Sequence, residues 1–384
     1  MKVEIKTLSP IHIGNGEKYK ELSYYKEGSK IFILDFDKVK RNLLSNERNS
    51  RFFSDFILKL KQQSFQKTQR KHFWEEFFSD YLREKPDKLK DYALYSVECF
   101  SKKSRDIDCF IKQNNSVYIP GTEIKGAIRT ALIYHLLSRH WNWFKEELNG
   151  ILEKFVTNSL DIKNLRRAVV SLEKEMQARV LIASQKAYDS RTDLLRFLII
   201  GDSNLKDPKD CLFVSDLEII GSSRNISFSQ EFCKKGESFF CDIKVDYKQF
   251  SLNKLGFSDE HKGIISDIKN IFNICYEFTK RLIEEEKKYD EYPDSVKRSL
   301  EFIEKENKPD SPVIRIGKNQ GYFGLTVGLL IKDKNQNLFD KVVRPATKGR
   351  TYQNNFPKTR RVVVLDSQQK DTCGWVKLTL KDSI

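Results

Sequence analysis

A glycine-rich stretch near the carboxyl end carries residue types that can hold single-stranded nucleic acid. Residues 314–324 contain three glycines, the cations Arg315 and Lys318, and the adjacent aromatic residues Tyr322 and Phe323. Glycines allow a nucleic-acid backbone to come close, cations neutralise phosphates, and aromatic rings stack on bases. No Gly-Lys-Ser/Thr ends the stretch, so it is not a Walker A loop. We predict that these four side chains contact RNA; a hairpin with core aromatic residues is the alternative interpretation.

A second motif, residues 118–129, predicts an anion site at the start of a helix. Thr122 can cap the helix, and the free N–H groups of the first turn attract an anion. Lys125 and Arg129 are four residues apart and therefore share a face with that turn. Gly126 lets a sugar-phosphate backbone approach, although glycine costs a helix about 1 kcal/mol relative to alanine. We expect Lys125 and Arg129 to bind RNA and their replacement by alanine to leave the fold intact; the alternative is an ordinary solvated face.

The first motif in chain order, residues 8–16, joins a strand-like run to a turn with two glycines. Gly14 and Gly16 allow close backbone approach, and the exposed N–H groups of such a turn can meet a phosphate. His12 can donate to RNA or act as a general acid or base. We predict RNA contact by His12, Gly14 and Gly16. The alternative is a histidine packed between Ile11 and Ile13 at the end of a strand.

The stretch 341–361 concentrates positive charge and is predicted to be long and turn-rich. It has seven cations and no acidic residue, with Tyr352 and Phe356 interleaved. Such a segment can become ordered on RNA, and a solvated loop is the alternative. Its candidate RNA-binding residues are Lys348, Arg350, Lys358, Arg360 and Arg361.

The composition agrees with a polyanionic partner. The 384 residues include 69 Lys plus Arg against 54 Asp plus Glu, a formal net charge of +15, and 12% aromatic residues. This describes a folded basic protein, for which nucleic acid is the simplest partner. None of the seven cysteines forms a CxxC pair, so we expect no metal and no cofactor, and reduced thiols in a cytoplasmic location. No apolar run of about 18 residues predicts a membrane span.

The elements that must position these motifs belong to an α+β protein. Alternation at residues 3–7 predicts a strand, residues 24–34 predict a hairpin, and residues 194–200, 211–220, 238–245, 313–316, 362–365 and 375–380 predict further strands. Residues 37–98 and 258–307 have helical patterns, and a helix is expected from Thr122 onward. The change in character near residue 190 suggests a domain boundary there.

Together, these motifs resemble the RAMP superfamily of CRISPR-associated proteins. The match consists of residues 9–14, residues 120–129 and the loop 317–324, in that order along the chain. Residues 358–361 and 374–378 resemble one branch in particular, the fifth subunit of the type III-A (Csm) effector complex. The helical stretches at 40–115 and 255–310 have no matching signature.

The resemblance implies a fold and a domain arrangement. RAMP proteins have ferredoxin-like, RRM-like core domains, here with large helical insertions. The expected N-terminal RAMP-like domain is 1–190, with an insertion at about 40–115. The expected C-terminal RAMP-like domain is 191–384, with an insertion at about 255–310.

The resemblance also implies a function. It suggests a non-catalytic crRNA-binding subunit of a type III-A complex in antiviral defence. Such a subunit caps the 3′ side of the crRNA, packs on the repeating backbone RAMP subunit and supports maturation of the crRNA 3′ end. The implied partners are crRNA, target RNA, other Csm-complex subunits and recruited host nucleases, and no membrane.

Three alternatives stay open. One is a RAMP endoribonuclease that processes repeat RNA with a histidine as general acid or base; the histidines are His12, His72, His135, His140 and His261. Another is a backbone subunit that cleaves target RNA through a loop aspartate, for which the candidates are Asp35, Asp106 and Asp108. The third is a basic RNA-binding protein outside CRISPR.

Overall fold

The structure of the chain is a computed structural model. It describes residues 1–63, 72–101, 106–157, 161–183, 189–246, 249–346, 356–366 and 369–381. The predicted RNA-binding residues Lys348 and Arg350 lie outside the described residues.

The strands of the described residues are short, and those at Lys2–Thr7, Ala93–Cys99 and Ser238–Val245 bury every second residue. They are β1 (Lys2–Thr7), β2 (Gly14–Tyr19), β3 (Tyr24–Glu27), β4 (Lys30–Leu34), β5 (Ala93–Cys99), β6 (Ile107–Phe110), β7 (Lys112–Gln113), β8 (Ser116–Val117), β9 (Leu198–Ile200), β10 (Leu212–Ile220), β11 (Ile226–Cys233), β12 (Ser238–Val245), β13 (Val313–Arg315), β14 (Arg360–Val364), β15 (Lys370–Asp371) and β16 (Trp375–Lys381).

The helices fall mainly into three groups between the strands. They are α1 (Phe36–Asn42), α2 (Glu47–Gln63), α3 (Phe73–Glu76), α4 (Gly121–Arg139), α5 (Trp141–Val156), α6 (Ile162–Leu181), α7 (Pro208–Cys211), α8 (Gln249–Leu255), α9 (Asp259–Ser266), α10 (Ile268–Lys287), α11 (Asp294–Glu306), α12 (Gly321–Leu325), α13 (Gly328–Lys334) and α14 (Gln336–Ala346). A π-helical segment, Phe77–Leu82, continues α3, and short 3₁₀ segments lie at Glu21–Ser23, Pro86–Tyr92, Ser190–Thr192 and Leu194–Phe197.

One sheet of the described residues has five strands in the order β13-β16-β1-β12-β9. The first strand, β1, lies between β12 and β16 and is antiparallel to both, with Ile5 opposite Phe239 and Leu378. Val3 and Ile5 are buried, while Lys2 and Lys6 on either side of them are exposed, as a period of two residues requires. The predicted alternation at residues 3–7 therefore gives the central strand of this sheet.

The second sheet follows the order β2-β6-β11-β10-β5-β4-β3, and β14 and β15 extend it beside β10. Most of its pairs are antiparallel, but β10 with β5 and β11 with β6 are parallel. Both sheets thus combine strands from both sides of residue 190. The division into two RAMP-like domains at that residue stays a prediction.

The main core lies between the five-stranded sheet and helices α4 and α10. Ile124, Ile128 and Leu132 of α4 are buried, as their spacing predicts, and α4 contacts α10 and β13. A separate cluster beneath α1 to α3 is built on aromatic residues, among them Phe56, Trp74 and Phe77. The helical insertion of the first half of the chain therefore has its own small core.

The α+β class is confirmed, and several elements match their predicted positions. The hairpin turns at Gly28, which has a positive φ of 55°. Cys211 to Ile220 and Ser238 to Val245 form β10 and β12 almost as predicted.

Three local predictions were wrong. The helical stretch 37–98 ends in a strand, because Tyr95, Val97 and Cys99 are buried with a period of two. The run 194–200 begins as a 3₁₀ segment after Asp193, whose side chain accepts from the N–H of Leu195. The stretch 341–361 is not turn-rich at its start, since it begins within α14.

Every cysteine lies in the described part of the chain, buried and not in a disulfide. Among the described residues, no helix is both long and apolar enough to cross a membrane.

Candidate nucleic-acid interface

Three of the predicted motifs meet at Gly317. The N–H of Gly317 donates to Oε2 of Glu123 at 3.0 Å, and the N–H of Lys318 donates to the carbonyl oxygen of His12 at 3.0 Å. Gly317 has φ +83°, and a Cβ there would lie 2.3 Å from that carbonyl oxygen. Only glycine fits this position. We call His12, Glu123, Gly317 and Lys318 the Gly317 junction.

His12 is enclosed by protein at the junction. Only 2% of its surface is exposed, and Nδ1 lies 2.7 Å from the carbonyl oxygen of Glu231. Its ring meets Phe110 and Phe232 edge-on. Burial lowers the pKa of His12, although the hydrogen bond to Glu231 acts in the opposite direction. The ring therefore occupies the position of a packed core histidine, and its contact with RNA stays a prediction.

Gly14 follows His12 for a steric reason. A Cβ at Gly14 would lie 3.1 Å from Nε2 of His12, which is tight enough to displace the ring. Nε2 is buried and has no hydrogen-bond partner among the described residues. Gly16 is exposed, with φ +88°. Both glycines lie in β2 and not in a turn as predicted, and the pairing of β2 with β6 is irregular between Gly14 and Lys18. No described atom lies within 4 Å of a Cβ built on Gly16.

Arg315 and Arg360 are buried together around one carboxylate. Arg315 Nη1 lies 3.3 Å from Oε1 of Glu286, and Arg360 Nε lies 3.1 Å from Oε2. The Tyr292 hydroxyl donates to the same carboxylate. Burial alone would raise the pKa of Glu286, but Arg315 and Arg360 hold it below its usual value. Both guanidinium groups thus share one carboxylate inside the protein, where a buried charge needs a partner.

The aromatic pair of the glycine-rich loop also packs inward. Phe323 is 1% exposed and stacks with Phe339 at 5.9 Å between ring centroids. Tyr322 is half-buried and lies edge-on to Phe356 at 5.0 Å. In this arrangement the rings fix α12 against α14. Base stacking by either ring stays a prediction.

Lys318 and Arg361 remain closer to solvent. Lys318 Nζ lies 2.8 Å from Oδ2 of Asp108, which also accepts from Gln230, while Lys18 pairs with Oδ1. Arg361 is exposed and donates to the carbonyl oxygen of Lys318 at 3.2 Å. Lys358 is exposed as well, and its carbonyl oxygen accepts from Tyr289. These side chains can reach an anion, but Lys318 already has a carboxylate partner.

The start of α4 differs from its prediction. The helix begins at Gly121, and Pro120 at the cap position makes no side-chain hydrogen bond to it. Thr122, the predicted cap, is exposed within the first turn. The N–H of Gly121 donates to Oδ1 of Asp202 at 2.8 Å, so an acidic side chain already occupies part of the predicted anion site.

The two cations of α4 have different surroundings. Arg129 pairs with the buried Asp193 at 2.8 Å and donates to Gln177 at 3.1 Å. Because its removal would leave Asp193 buried without this partner, the structure revises the expectation that Arg129 is dispensable for folding. Lys125 is half-buried, which lowers its pKa, and no carboxylate among the described residues lies within ion-pair distance of it.

Gly126 leaves open space beside Lys125. A Cβ built on Gly126 would meet no atom of the described residues within 4 Å. Thr122 and Gly126 are exposed one helical turn apart, next to Lys125. We call this surface the α4 face. It can accept a phosphate without displacing an existing ion pair.

Sequence reasoning missed two buried carboxylates that organise the site. Glu286 continues the apolar stripe of α10 after Leu282 and Ile283, and that position could have revealed its burial. Glu231 is fully buried in β11 and accepts from the N–H of Phe110 and from the Tyr95 hydroxyl. No periodic signal marks Glu231.

The aspartates considered for metal-dependent cleavage have structural partners. Asp35 caps α1 by accepting from the N–H of Lys38, and Asp106 pairs with Lys20. Asp108 holds Lys18 and Lys318. Within the described ranges, no cluster of three His, Cys, Asp or Glu side chains could hold a metal ion.

Comparisons with known proteins match the chain to one superfamily. A family model described as the RAMP superfamily matches residues 4–325. A Methanocaldococcus jannaschii protein described as CRISPR system Cms protein Csm5 is 26% identical over 402 residues, which covers 99% of this chain and 89% of that protein. A Streptococcus thermophilus protein of the same description is 31% identical over 140 residues, or 34% of this chain and 37% of that protein.

Two solved structures share the fold over nearly the whole chain. A chain in the cryo-EM structure of a Csm–crRNA–target RNA ternary complex from a type III-A CRISPR-Cas system has a TM-score of 0.74 at 24% identity, covering 98% of this chain and 100% of that chain. The crystal structure of T. onnurineus Csm5 has a TM-score of 0.66 at 23% identity, with coverages of 97% and 99%.

Proposed function

The chain belongs to the RAMP superfamily, and on that premise we propose that it is the Csm5-type subunit of a type III-A CRISPR effector complex, where it binds crRNA without cutting it. The similarity to Csm5 proteins, which extends along almost the entire chain, supports this kind of complex. We further propose that the subunit caps the 3′ side of the crRNA, packs on the repeating backbone subunit and supports 3′-end maturation by recruited nucleases.

The observation that carries the RNA-binding part is the α4 face beside the Gly317 junction. Lys125 has no ion pair among the described residues, and Gly126 leaves the surface next to it open. A phosphate placed there gains a charge-assisted contact without breaking a protein contact. Contact of this kind reads the RNA backbone and is therefore independent of sequence.

The surroundings of the histidines favour a binding role over an endoribonuclease. A general acid or base must reach the 2′-hydroxyl of its substrate. His12, His72 and His261 are buried, and burial lowers the pKa of both His135 and His140. Purified protein incubated with labelled repeat RNA should leave it intact with or without Mg²⁺ or Mn²⁺. Cleavage that disappears in His12→Ala would overturn this part of the proposal.

Purification of the tagged chain with its native partners tests the complex directly. We expect co-purification of other effector subunits and of crRNA. Lys125→Ala with Gly126→Leu should lower the amount of this subunit per complex or lengthen the crRNA at its 3′ end, as read by sequencing. The matched control is Gly150→Leu in α5, where a Cβ also meets no described atom within 4 Å. Co-purification without any crRNA would contradict the proposal.

A further inference from the structure

A second cationic site lies on α11, away from the Gly317 junction. A cavity of about 200 Å³ is lined by Lys235, Ser295, Arg298, Ser299, Phe302 and Gln369. Its α11 residues follow the spacing i, i+3, i+4, i+7 and therefore share one face of the helix. Lys235 comes from the turn between β11 and β12, and Gln369 directly precedes β15. We call this cavity the α11 pocket.

The two cations of the α11 pocket are available to a ligand. In the part of the chain that the structure describes, neither Lys235 nor Arg298 has a carboxylate within 4.0 Å, and Lys235 acts on the buried carboxyl of Asp371 only from a longer distance. Their neighbours differ, since Lys234 pairs with Glu98 at 3.8 Å and Lys370 pairs with Glu218 at 2.6 Å. The unpaired positive charge beside this cavity therefore comes from two side chains, which reach it from different elements of the fold.

The wall behind these cations is held by hydrogen bonds. Ser295 donates its hydroxyl to the carbonyl oxygen of Lys370 at 2.7 Å and accepts from the N–H of Lys370 at 3.2 Å. Ser299 hydrogen-bonds the buried carboxyl of Asp371, which also accepts from the N–H of Thr372 at 2.8 Å. The oxygens of Asp371 are thus engaged with protein donors. The pocket has a fixed floor, which reduces the entropy lost when a ligand binds.

The aromatic ring of Phe302, which lines the α11 pocket, indicates that the ligand also has a flat ring. Phe302 is 41% exposed, and Lys235 Nζ lies 4.7 Å from the centroid of its ring. A ring beside cations suits a base that stacks while its phosphate is held by lysine and by the fork of an arginine. Sites for drug-sized ligands are usually about 300–1,000 Å³, so this smaller cavity suits a single nucleotide unit.

We infer that the α11 pocket binds one nucleotide unit, with the phosphate between Lys235 and Arg298 and the base against Phe302. The unit can belong to a free mononucleotide or to the phosphorylated end of an RNA strand. This site goes beyond the proposed crRNA contact at the α4 face and does not depend on it.

Calorimetric titration of the full chain with adenosine monophosphate, adenosine and inorganic phosphate tests the inference. Adenosine monophosphate should bind, and adenosine should bind more weakly because it lacks the charge. Arg298→Ala should lower the affinity for adenosine monophosphate about tenfold, because one hydrogen-bonded charge contact is lost. Phe302→Ala should lower the affinity for adenosine monophosphate but leave the affinity for inorganic phosphate unchanged. Both residues are exposed, so melting temperatures should stay at the wild-type value.

The matched control is Lys297→Ala, an exposed cation of α11 that does not line the pocket. It should bind adenosine monophosphate as the wild type does. An equal loss in Lys297→Ala and Arg298→Ala, or no binding to the wild type at millimolar concentration, would overturn the inference.

Competition identifies the source of the unit and separates this inference from the proposed function. One competitor is an oligoribonucleotide with a terminal phosphate, and the other is the same strand without it. Displacement of adenosine monophosphate by the phosphorylated strand alone identifies an RNA end. Displacement by free nucleotides alone identifies a free nucleotide, and either result supports the pocket. Unchanged RNA binding in Lys125→Ala, together with adenosine monophosphate binding to the α11 pocket, would count against the α4 face only.

Discussion

The Gly317 junction with its buried surroundings and the neighbouring α4 face look alike in the sequence but differ in what their charges contact. Both have glycines beside cations. Arg315 and Arg360 both pair with the buried carboxylate of Glu286, whereas Lys125 has no carboxylate within ion-pair distance among the described residues. A formal charge of +15 therefore overstates the charge available to RNA. Substitution of an enclosed charge should therefore change the free energy of unfolding. Substitution of an open charge should change RNA binding.

The largest expected effect comes from the enclosed carboxylate of Glu286. Glu286→Gln leaves Arg315 and Arg360 buried without their counter-charge, and we expect a loss of about 3–5 kcal/mol in the free energy of unfolding. Denaturant titration measures it. The control is Glu284→Gln on the same helix, which loses only a partly exposed pair with Arg281 and should cost less than about 1 kcal/mol.

Removal of the whole buried network decides whether these arginines also contact RNA. A triple variant with Glu286→Leu, Arg315→Met and Arg360→Met should keep the salt dependence of RNA binding, because the arginines are enclosed. A log–log salt slope that falls by about 0.7 for each arginine would show that the arginines contact phosphates. It would contradict the distinction drawn between enclosed and open charges.

The second effect is a pH dependence of stability due to His72. Burial lowers the pKa of His72 from 6.5 to about 4, and both ring nitrogens lack a hydrogen-bond partner among the described residues. The unfolded chain takes up the proton first, so stability is full above about pH 6.5 and falls as the pH drops toward 4. The cost reaches about 3 kcal/mol at the lower end.

His72→Phe should abolish that part of the pH dependence while keeping the ring contact with Tyr24. The measurement is the difference between wild type and variant in unfolding free energy at pH 7 and at pH 4.5. If the unfolding free energy of the wild type and that of the variant changed equally between pH 7 and pH 4.5, His72 would not titrate on unfolding.

The third effect belongs to the open charge. Lys125→Gln should reduce the log–log salt slope of single-stranded RNA binding by about 0.7, the value for one phosphate contact. Thermal melting should not change. The control is Lys318→Gln, which removes a partner of Asp108 and should leave the slope unchanged. The opposite pattern would place the RNA contact at the junction instead of the α4 face.

The smallest effect concerns the open glycine. Gly126→Ala should stabilise the protein by up to about 1 kcal/mol, since alanine favours a helix and the new methyl group meets no described atom. RNA binding should weaken because the methyl group occupies the approach to the backbone. Gly150→Ala in α5 should give a similar gain in stability with unchanged RNA binding, and the same RNA affinity in both variants would argue against close approach at Gly126.

Local patterns in the sequence predicted much of the framework. The alternation of Val3 and Ile5 predicted β1, and the spacing of Ile124, Ile128 and Leu132 predicted the buried side of α4. The glycines and cations of the three motifs were found by type and spacing alone. These features depend on residues within one strand or one helix, so a single sequence contains the information.

The pairing of the strands and the charges that lack a carboxylate partner depend on contacts between residues far apart in the chain. β1 joins β12 and β16 from the far end of the chain, and Gly317 packs on His12. Arg129 and Lys125 share a helix, yet Asp193 pairs with Arg129 alone. The order of residues specifies where the cations stand along the chain. Their availability to RNA depends on which carboxylates the fold brings within 4 Å, since ion pairing depends on distance in space and not on spacing along the chain.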